Sequence, residues 1–286
     1  MLLSAGDLGV TERYLRQIIA DAERRLERLD RASLKWAELK TDAIKSYDLL
    51  GRMAFDAGKY REALAEFDKV LDADPLARAV RSEAVRAHLA LNELEPAAKH
   101  VETLLDAHRQ DPDNLVLLAG IRLQLGQAQE SARLYEEALQ VRNDAPTRYR
   151  LAAALLVERK LTEALAQYRA ALDLSPGYPP AANDLAWVLA THPNAQFRDG
   201  QRAVALARAA CKASNRKDPN FLSTLAVALA ETGEFQEAIE VCREAIAAAA
   251  SLPDKSGAKL VPTIESRIAL FQQGKPHRDP ALAEMQ

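Results

Sequence analysis

Apolar and polar residues alternate with helical spacing through residues 44–75. Apolar stripes at spacings of three and four residues predict two short amphipathic helices there. The first stripe consists of Tyr47, Leu50, Ala54 and Phe55, and the second of Tyr60, Ala63, Leu64, Phe67, Val70 and Leu71. Gly58, between the stripes, can take the left-handed backbone conformation that ends a helix, and Pro75 cannot continue a helix interior. The stretch therefore predicts a helix pair with a tight turn at residues 58–59.

The same pattern recurs downstream with a spacing of 33 to 35 residues, apart from a longer step into and through the fifth copy. The six copies lie near residues 44–75, 76–109, 112–142, 145–177, 179–215 and 219–250. A small residue occupies one aligned position in each second helix: Ala63, Ala97, Ser131, Ala164, Ala203 and Ala238. An aligned position in each first helix holds Leu50, Ala84, Leu118, Leu151, Leu185 and Leu225. A period of this size predicts an array of repeated helix pairs.

The first copy also carries the residues of a known repeat pattern, namely Tyr47, Leu50, Gly51, Gly58, Tyr60, Ala63, Phe67 and Pro75. With them the chain resembles the tetratricopeptide repeat (TPR) family over roughly residues 42–250. The resemblance implies an all-α fold, a right-handed superhelical α-solenoid of about six TPR helix pairs. It also implies a concave groove that is lined by the first helix of each pair.

Residues 1–41 precede the array and predict a further helix. Residues 11–40 hold no Gly or Pro, and apolar residues recur at alternating spacings of three and four between charged flanks. This pattern fits a short coiled coil that dimerises the protein, or a helix that folds back to cap the open edge of the first repeat. A long helix that runs straight into the first repeat also fits. All three interpretations remain open.

The chain beyond the array predicts a last helix and then irregular structure. Residues 258–273 carry an apolar stripe that predicts a C-terminal capping helix over the sixth repeat. Gly274, Pro276 and Pro280 follow, and they predict a flexible tail over residues 274–286.

The fifth copy contains an insertion. Leu185 and Ala203 lie 18 positions apart, whereas the other copies place 13 positions between the same two sites. The extra residues lie in the segment 191–200, where Pro193 and Gly200 predict a loop and Asp199 can cap the next helix. Such insertions resemble those of other bacterial TPR proteins. The loop is either a recognition finger at the edge of the groove or a tolerated surface insertion.

Composition and motifs narrow the classes of function. The net charge of −3 gives no basic footprint for nucleic acid. The sequence contains no HExxH, P-loop or G-x-G-x-x-G motif, so no catalytic residue, metal ligand or cofactor is predicted. No window approaches the roughly 20 apolar residues of a membrane helix. The first residues make a poor signal peptide, so we expect a cytoplasmic protein, or a periplasmic one if a leader was removed. Cys211 and Cys242 are either a redox pair or two buried free thiols.

The resemblance places five positions of each repeat on the concave side of the groove. In this chain they include Lys45, Asp48, Arg52, Phe55, Arg86, Leu89, Leu123, Tyr149, Leu156, Asn183 and Trp187. The N-terminal part of this set is basic, and the middle is apolar with aromatic residues, which suits a peptide with acidic and apolar residues. Tyr149, Leu156 and Trp187 can instead pack between repeats as core residues, and for Trp187 the two interpretations fit equally well.

These observations predict a non-enzymatic scaffold that binds a protein or peptide partner in the groove and assembles or localises a complex. Two alternatives remain. One is a structural protein that forms homo-oligomers through its N-terminal helix, and the other is the regulatory subunit of an enzyme.

Overall fold

The computed structural model describes residues 5–252 and 256–285, and this part of the chain confirms the predicted all-α fold. It forms fourteen α-helices and contains no strand. The chain divides into two compact units, unit 1 (Met1–Gln127) and unit 2 (Ala128–Gln286). Unit 1 holds α1 (Ala5–Leu26), α2 (Leu34–Asp56), α3 (Tyr60–Ala73), α4 (Arg78–Ala90), α5 (Leu94–Ala107) and α6 (Pro112–Gln124). Unit 2 holds α7 (Ala128–Val141), α8 (Ala145–Val157), α9 (Leu161–Leu174), α10 (Pro179–Thr191), α11 (Gly200–Ala213), α12 (Pro219–Glu231), α13 (Phe235–Ala250) and α14 (Val261–Gln272).

Helices that the repeat pattern pairs do pack against each other in both units. The pairs are α2 with α3 and α4 with α5 in unit 1, and α8 with α9, α10 with α11, and α12 with α13 in unit 2. None of the helices that the structure describes is both long enough and apolar enough to cross a bilayer.

The turn inside a helix pair depends on one residue with a left-handed backbone. Gly58 has a φ of 74°, and the aligned residues Gly126 and Gly233 have φ values of 79° and 87°. Asn92 and Arg159 take the same conformation, with φ values of 57° and 62°. A residue with a β-carbon is strained in this region, so Arg159 holds the turn at an energetic cost that glycine avoids.

Three of the first helices begin with the same capping device. Asp111, Asp144 and Asp218 are the N-cap residues of α6, α8 and α12, and a proline follows within the first two helical positions. Each carboxylate accepts a hydrogen bond from a backbone N–H of the first turn, for example from Asn220 at 2.8 Å. These N–H groups have no partner within the helix, so the aspartates satisfy them and fix where each helix starts.

The core of each repeat is built around the aligned small residue. All six of these positions are fully buried: Ala63, Ala97, Ser131, Ala164, Ala203 and Ala238. In the first repeat the close approach continues one turn away, where Gly51 on α2 faces the ring of Phe67 on α3. Phe67 has no solvent exposure. The lack of a side chain at Gly51 therefore makes room for the largest buried residue of that repeat.

The N-terminal segment forms two helices, whereas its sequence predicts one unbroken helix. α1 ends at Leu26, and α2 starts at Leu34 after the N-cap Ser33, whose hydroxyl accepts from the Trp36 N–H at 3.2 Å. α2 then continues without a break to Asp56, so the boundary predicted at residues 41–42 lies inside a helix. α1 packs against α2. The apolar stripe of α1 contributes to two small clusters. One cluster contains Leu15, Ile19 and Leu50, and the other contains Ala22, Leu39 and Ala43.

The insertion in the fifth copy is an ordered loop between α10 and α11. His192 is buried, and its ring lies 4.5 Å from that of Phe197. Arg198 donates hydrogen bonds to the carbonyl oxygens of His192 and Pro193 at 2.9 and 2.8 Å. Asp199 caps α11 by accepting from the Arg202 N–H at 3.0 Å, as its position in the sequence suggests.

The segment after α14 packs against other helices of unit 2, whereas the sequence predicts a flexible tail over residues 274–286. The Asp279 N–H donates to the Thr191 carbonyl oxygen at 3.0 Å, and Arg278 pairs with Glu231 at 2.6 Å. Leu282 is buried within a short 3₁₀ helix, Pro280–Leu282. These partners are distant in sequence, so the local composition of residues 274–286 does not reveal them and predicts a flexible tail.

Charged residues also link helices at about one repeat of separation. The pairs are Arg61–Glu93 at 3.2 Å and Arg78–Asp111 at 3.4 Å in unit 1, and Arg208–Glu237 at 3.0 Å in unit 2. Exposed pairs of this kind contribute little free energy, about 0–1 kcal/mol each. They therefore add little to the packing that holds neighbouring repeats together.

Candidate partner-binding surfaces

Unit 1 brings two of the predicted groove residues into direct contact. The guanidinium of Arg86 on α4 lies 4.7 Å from the centre of the Phe55 ring on α2. Tyr60 packs edge-on against the same ring, with the ring centroids 5.2 Å apart. Phe55 is partly exposed and Arg86 is exposed. Together Phe55, Tyr60 and Arg86 form the Phe55 cluster, an accessible combination of aromatic and arginine side chains of the kind that anchors protein interfaces.

The basic character predicted for this surface is largely neutralised. Arg52 forms an ion pair with Asp48 one turn earlier on α2, at 2.9 Å. Arg86 forms a similar pair with Glu83, at 2.8 Å. Each arginine therefore faces solvent with a carboxylate beside it. A partner gains less from its negative charge here than the count of basic residues suggests.

Unit 2 brings together the predicted residues Asn183 and Trp187 on α10. Both line a pocket of about 260 Å³, together with residues of α12 and α14. Asn220 and Ser223 come from α12, and Arg267 comes from α14. We call this the Arg267 pocket. The guanidinium carbon of Arg267 lies 4.8 Å from the centre of the Trp187 ring, so the two planar groups help to hold each other in place.

Trp187 also contacts the C-terminal segment. Its indole N–H donates to the carboxylate of Asp279 at 2.9 Å, and its ring lies 5.6 Å from that of His277. Burial lowers the pKa of His277, with a smaller contribution from the nearby Arg267. Trp187 therefore joins the pocket to residues 277–279 and remains partly exposed.

Tyr149 on α8 is used within unit 2. Its hydroxyl donates to the carboxylate of Asp184 at 3.1 Å, and its ring packs against those of Tyr168 and Tyr178. The Asn183 amide donates to the same carboxylate at 2.9 Å. Burial raises the pKa of Asp184, and these hydrogen bonds oppose the rise because they favour the ionised form.

The remaining predicted residues do not join either cluster. Lys45 on α2 is exposed, and Leu89, Leu123 and Leu156 are partly buried on α4, α6 and α8. Sequence reasoning also missed Arg267 and Asp279, two charged residues that the structure places next to Trp187. The apolar stripe of α14 is visible in the sequence. The sequence does not show that Arg267, the one arginine of α14, packs on Trp187.

Comparison with protein-family models gives one kind of repeat over most of the chain. Two models described as tetratricopeptide repeat match, one over residues 54–121 and the other over residues 116–179 and 194–253. Comparison with curated protein sequences found no match.

Comparison with solved structures gives helical-repeat proteins of low sequence identity. The C-terminal part of a TPR repeat-containing protein from Cytophaga hutchinsonii is 12% identical with a TM-score of 0.59, covering 85% of this chain and 97% of that chain. PilW, described as a widely conserved type IV pilus biogenesis factor, is 14% identical with a TM-score of 0.57, covering 76% and 98%. MamA is 15% identical with a TM-score of 0.52, covering 59% and 96%. At these identities the similarity shows the fold alone.

Proposed function

Because the chain belongs to the tetratricopeptide repeat family, we propose that it is a non-enzymatic scaffold that binds a protein or peptide partner and helps to assemble or localise a complex. The partner contacts the first helices of the repeats. In unit 1 it engages the Phe55 cluster, and in unit 2 it engages the surface around Trp187. No cofactor takes part in this function.

The observation that carries the proposal is that aromatic side chains, each stacked with an arginine, are partly exposed on first helices of the repeats. Phe55 and Trp187 lie on first helices and stay partly exposed, and aromatic side chains are common anchors of protein interfaces. Each is stacked with an arginine, which fixes its orientation before a partner arrives. An anchor that is already ordered loses less conformational entropy on binding, so it contributes more to affinity.

The experiment is affinity capture from native lysate with matched variants. The test variant is Arg52→Glu/Arg86→Glu, which reverses two charges on the first helices of unit 1. The control variant is Arg133→Glu/Arg243→Glu, which reverses two exposed charges on second helices. We expect a partner that the parent protein and the control capture and that the test variant loses. Circular dichroism checks that all three proteins are equally helical.

Two outcomes contradict the proposal for unit 1. A partner that the test variant retains in full does not bind at the Phe55 cluster, and a Trp187→Ala variant then shows whether unit 2 holds the site. Recovery of the protein alone, with no other chain, favours self-assembly.

Self-assembly is the second candidate function because α1 and α2 expose large apolar side chains. Val10 and Tyr14, one turn apart on α1, are 58% and 64% exposed, and Leu34 at the start of α2 is 78% exposed. If these residues join copies of the chain, a Val10→Ser/Tyr14→Ser variant sediments as a smaller species than the parent protein. An unchanged sedimentation coefficient removes this candidate.

A further inference from the structure

Residues 275–285, the C-terminal segment, lie on the surface of unit 2 that the proposed function assigns to a partner. The indole N–H is the one hydrogen-bond donor of the Trp187 side chain, and it donates to the Asp279 carboxylate at 2.9 Å. The ring of His277 packs against the same indole, with the ring centroids 5.6 Å apart. A partner that anchors on Trp187 therefore has to replace Asp279 and His277.

The C-terminal segment crosses the first helices of three successive repeats. Arg278 forms an ion pair with Glu231, the last residue of α12, at 2.6 Å. The Asp279 N–H donates to the last carbonyl oxygen of α10 at 3.0 Å. Glu284 pairs with Arg159, in the turn that follows α8, at 2.5 Å. The segment therefore runs from α12 past α10 to the end of α8, along the helices that the proposed function gives to the partner.

The attachment of this segment is shallow. Leu282 is the one residue between positions 275 and 285 that is buried, and all the others keep contact with solvent. The side chains of the Glu284–Arg159 pair are 71% and 64% exposed. Water can replace the partners of polar groups at a surface, so such hydrogen bonds and ion pairs contribute little net free energy. The segment can therefore leave unit 2 while the helices beneath it stay folded.

A short tether keeps the segment close to its site. Gly274 ends α14 in the left-handed conformation, with a φ of 68°, which glycine adopts without strain. The Lys275 N–H donates back to the Leu270 carbonyl oxygen at 3.1 Å, so the chain reverses at this point and returns towards the repeats. A tether this short gives a detached segment an effective concentration of about a millimolar or more at its own site. A partner has to compete with that concentration.

We infer that the C-terminal segment is a built-in ligand of unit 2, which masks the partner surface around Trp187 until it detaches. The inference rests on the proposed function for the identity of that surface, and it adds the regulation of the same surface. The segment also indicates the kind of partner that displaces it. That partner is an extended peptide that brings a hydrogen-bond acceptor to the Trp187 N–H and an apolar side chain to the position of Leu282.

The first test measures detachment in the native full chain by hydrogen exchange. It compares the backbone amide of Asp279 with that of Leu189, a buried residue inside α10, after correction for their intrinsic exchange rates. The Asp279 bond breaks when the segment leaves, whereas the amide of Leu189 is released only when unit 2 unfolds. We expect Asp279 to exchange at least about a hundredfold faster. Equal rates show that the segment opens only together with the fold, and they overturn the inference.

The second test releases the segment by substitution in the full chain. The release variant is Arg278→Glu/Leu282→Asp, which places a like charge beside Glu231 and a carboxylate at the buried position. The control variant is Lys275→Glu/Ala281→Asp, which makes the same two changes of charge at exposed positions of the segment. Neither variant alters Trp187 or Asp279, so the masked surface itself is unchanged.

The probe is a synthetic peptide of residues 274–285, and the readout is the indole N–H signal of Trp187 by NMR. Trp36, in unit 1, is an internal control. We expect a saturable shift of Trp187 in the release variant and none of Trp36. We expect the peptide to bind the parent protein and the control variant at least about tenfold more weakly, because the attached segment competes with it.

Two results of the peptide test overturn the inference: no binding to the release variant, or equally strong binding to the release variant and the parent protein. If the release variant does not fold, hydrogen exchange in the native protein decides the question. Affinity capture separates this inference from the proposed function. A partner that Trp187→Ala loses, and that the parent protein and the release variant capture equally, overturns the masking and leaves the scaffold function. Peptide binding by the release variant alone, with no partner captured by any variant, supports the masking and removes the scaffold function.

Discussion

Gly51 permits the closest helix contact in the first repeat, and replacing it with alanine should destabilise unit 1. A β-carbon added at Gly51 would lie 2.4 and 2.5 Å from two ring atoms of Phe67. Carbon atoms in van der Waals contact are about 3.5–4.0 Å apart, so the ring would have to move by about 1 Å. Phe67 is fully buried in a cluster with Ala63, Val70 and Ala84, so its ring can move only by displacing packed neighbours.

The magnitude follows from two opposing effects. Overpacking of a filled core costs about 1–3 kcal/mol, and a contact this short at a fully buried ring belongs in the upper half of that range. Alanine is favoured over glycine in a helix interior by about 1 kcal/mol. We therefore expect Gly51→Ala to lower the free energy of unfolding by about 1–2 kcal/mol.

The assay combines urea unfolding, followed by circular dichroism, with hydrogen exchange of the α2 and α3 peptides to locate the loss. Gly9→Ala is the matched control, because a β-carbon there meets nothing within 4 Å and the substitution should be neutral or stabilising. Phe67→Leu should partly relieve Gly51→Ala, so the double variant should be more stable than the sum of the single effects implies. The reasoning is refuted if Gly51→Ala is as stable as the parent protein, or if the two substitutions simply add.

Three further predictions concern a turn, a half-buried histidine and the thiols. Arg159→Gly should stabilise unit 2 by about 0.5–1 kcal/mol in urea unfolding, since it relieves a left-handed backbone, whereas Gly233→Ala should destabilise it. Burial lowers the pKa of His100 from 6.5 to about 4, so the unfolded state binds more protons in that interval. Stability should therefore fall as the pH drops from 6.5 towards 4, and His100→Gln should flatten this slope in unfolding experiments. Cys211 and Cys242 are free and buried, and burial raises the pKa of both thiols to about 11. They should resist a thiol reagent at neutral pH and both react after unfolding; fast labelling of the native protein would contradict this.

The repeated features of the fold could be predicted from the sequence because each appears several times. The small residue at Ala63 recurs in five further copies, four of them at the repeat spacing, and every copy is buried. Gly58 and its aligned glycines similarly reveal the left-handed turns. The break between α1 and α2 occurs once and contains neither Gly nor Pro. Its signal is the cap Ser33, which the surrounding charged helical pattern obscures.

The residues of the candidate site could be predicted only within the repeat array. The family resemblance placed Phe55 and Trp187 on first helices, with Trp187 either in the groove or in the core, and the structure leaves both side chains partly exposed. The repeat pattern carries no information on residues outside the array. Arg267 and Asp279 approach Trp187 through contacts between distant parts of the sequence, and short-range periodicity does not report such contacts. The ion pair between Arg52 and Asp48 likewise depends on the side-chain rotamers, which the sequence does not show. Counting basic residues therefore overstated the positive charge of this surface of unit 1.

The ion pairs between neighbouring repeats differ from one interface to the next. Arg61 meets Glu93, but the aligned residue one repeat later is Gln127, which has no charge to offer. If residues 76–109 were excised, the shortened chain would present Gln127 to Arg61 in place of Glu93. The shortened array would keep the same helix arrangement but lose the ion pair between Arg61 and the next copy. Shortening, lengthening or reordering this array therefore changes which charges meet at each new interface between copies, even where the helices themselves stay the same.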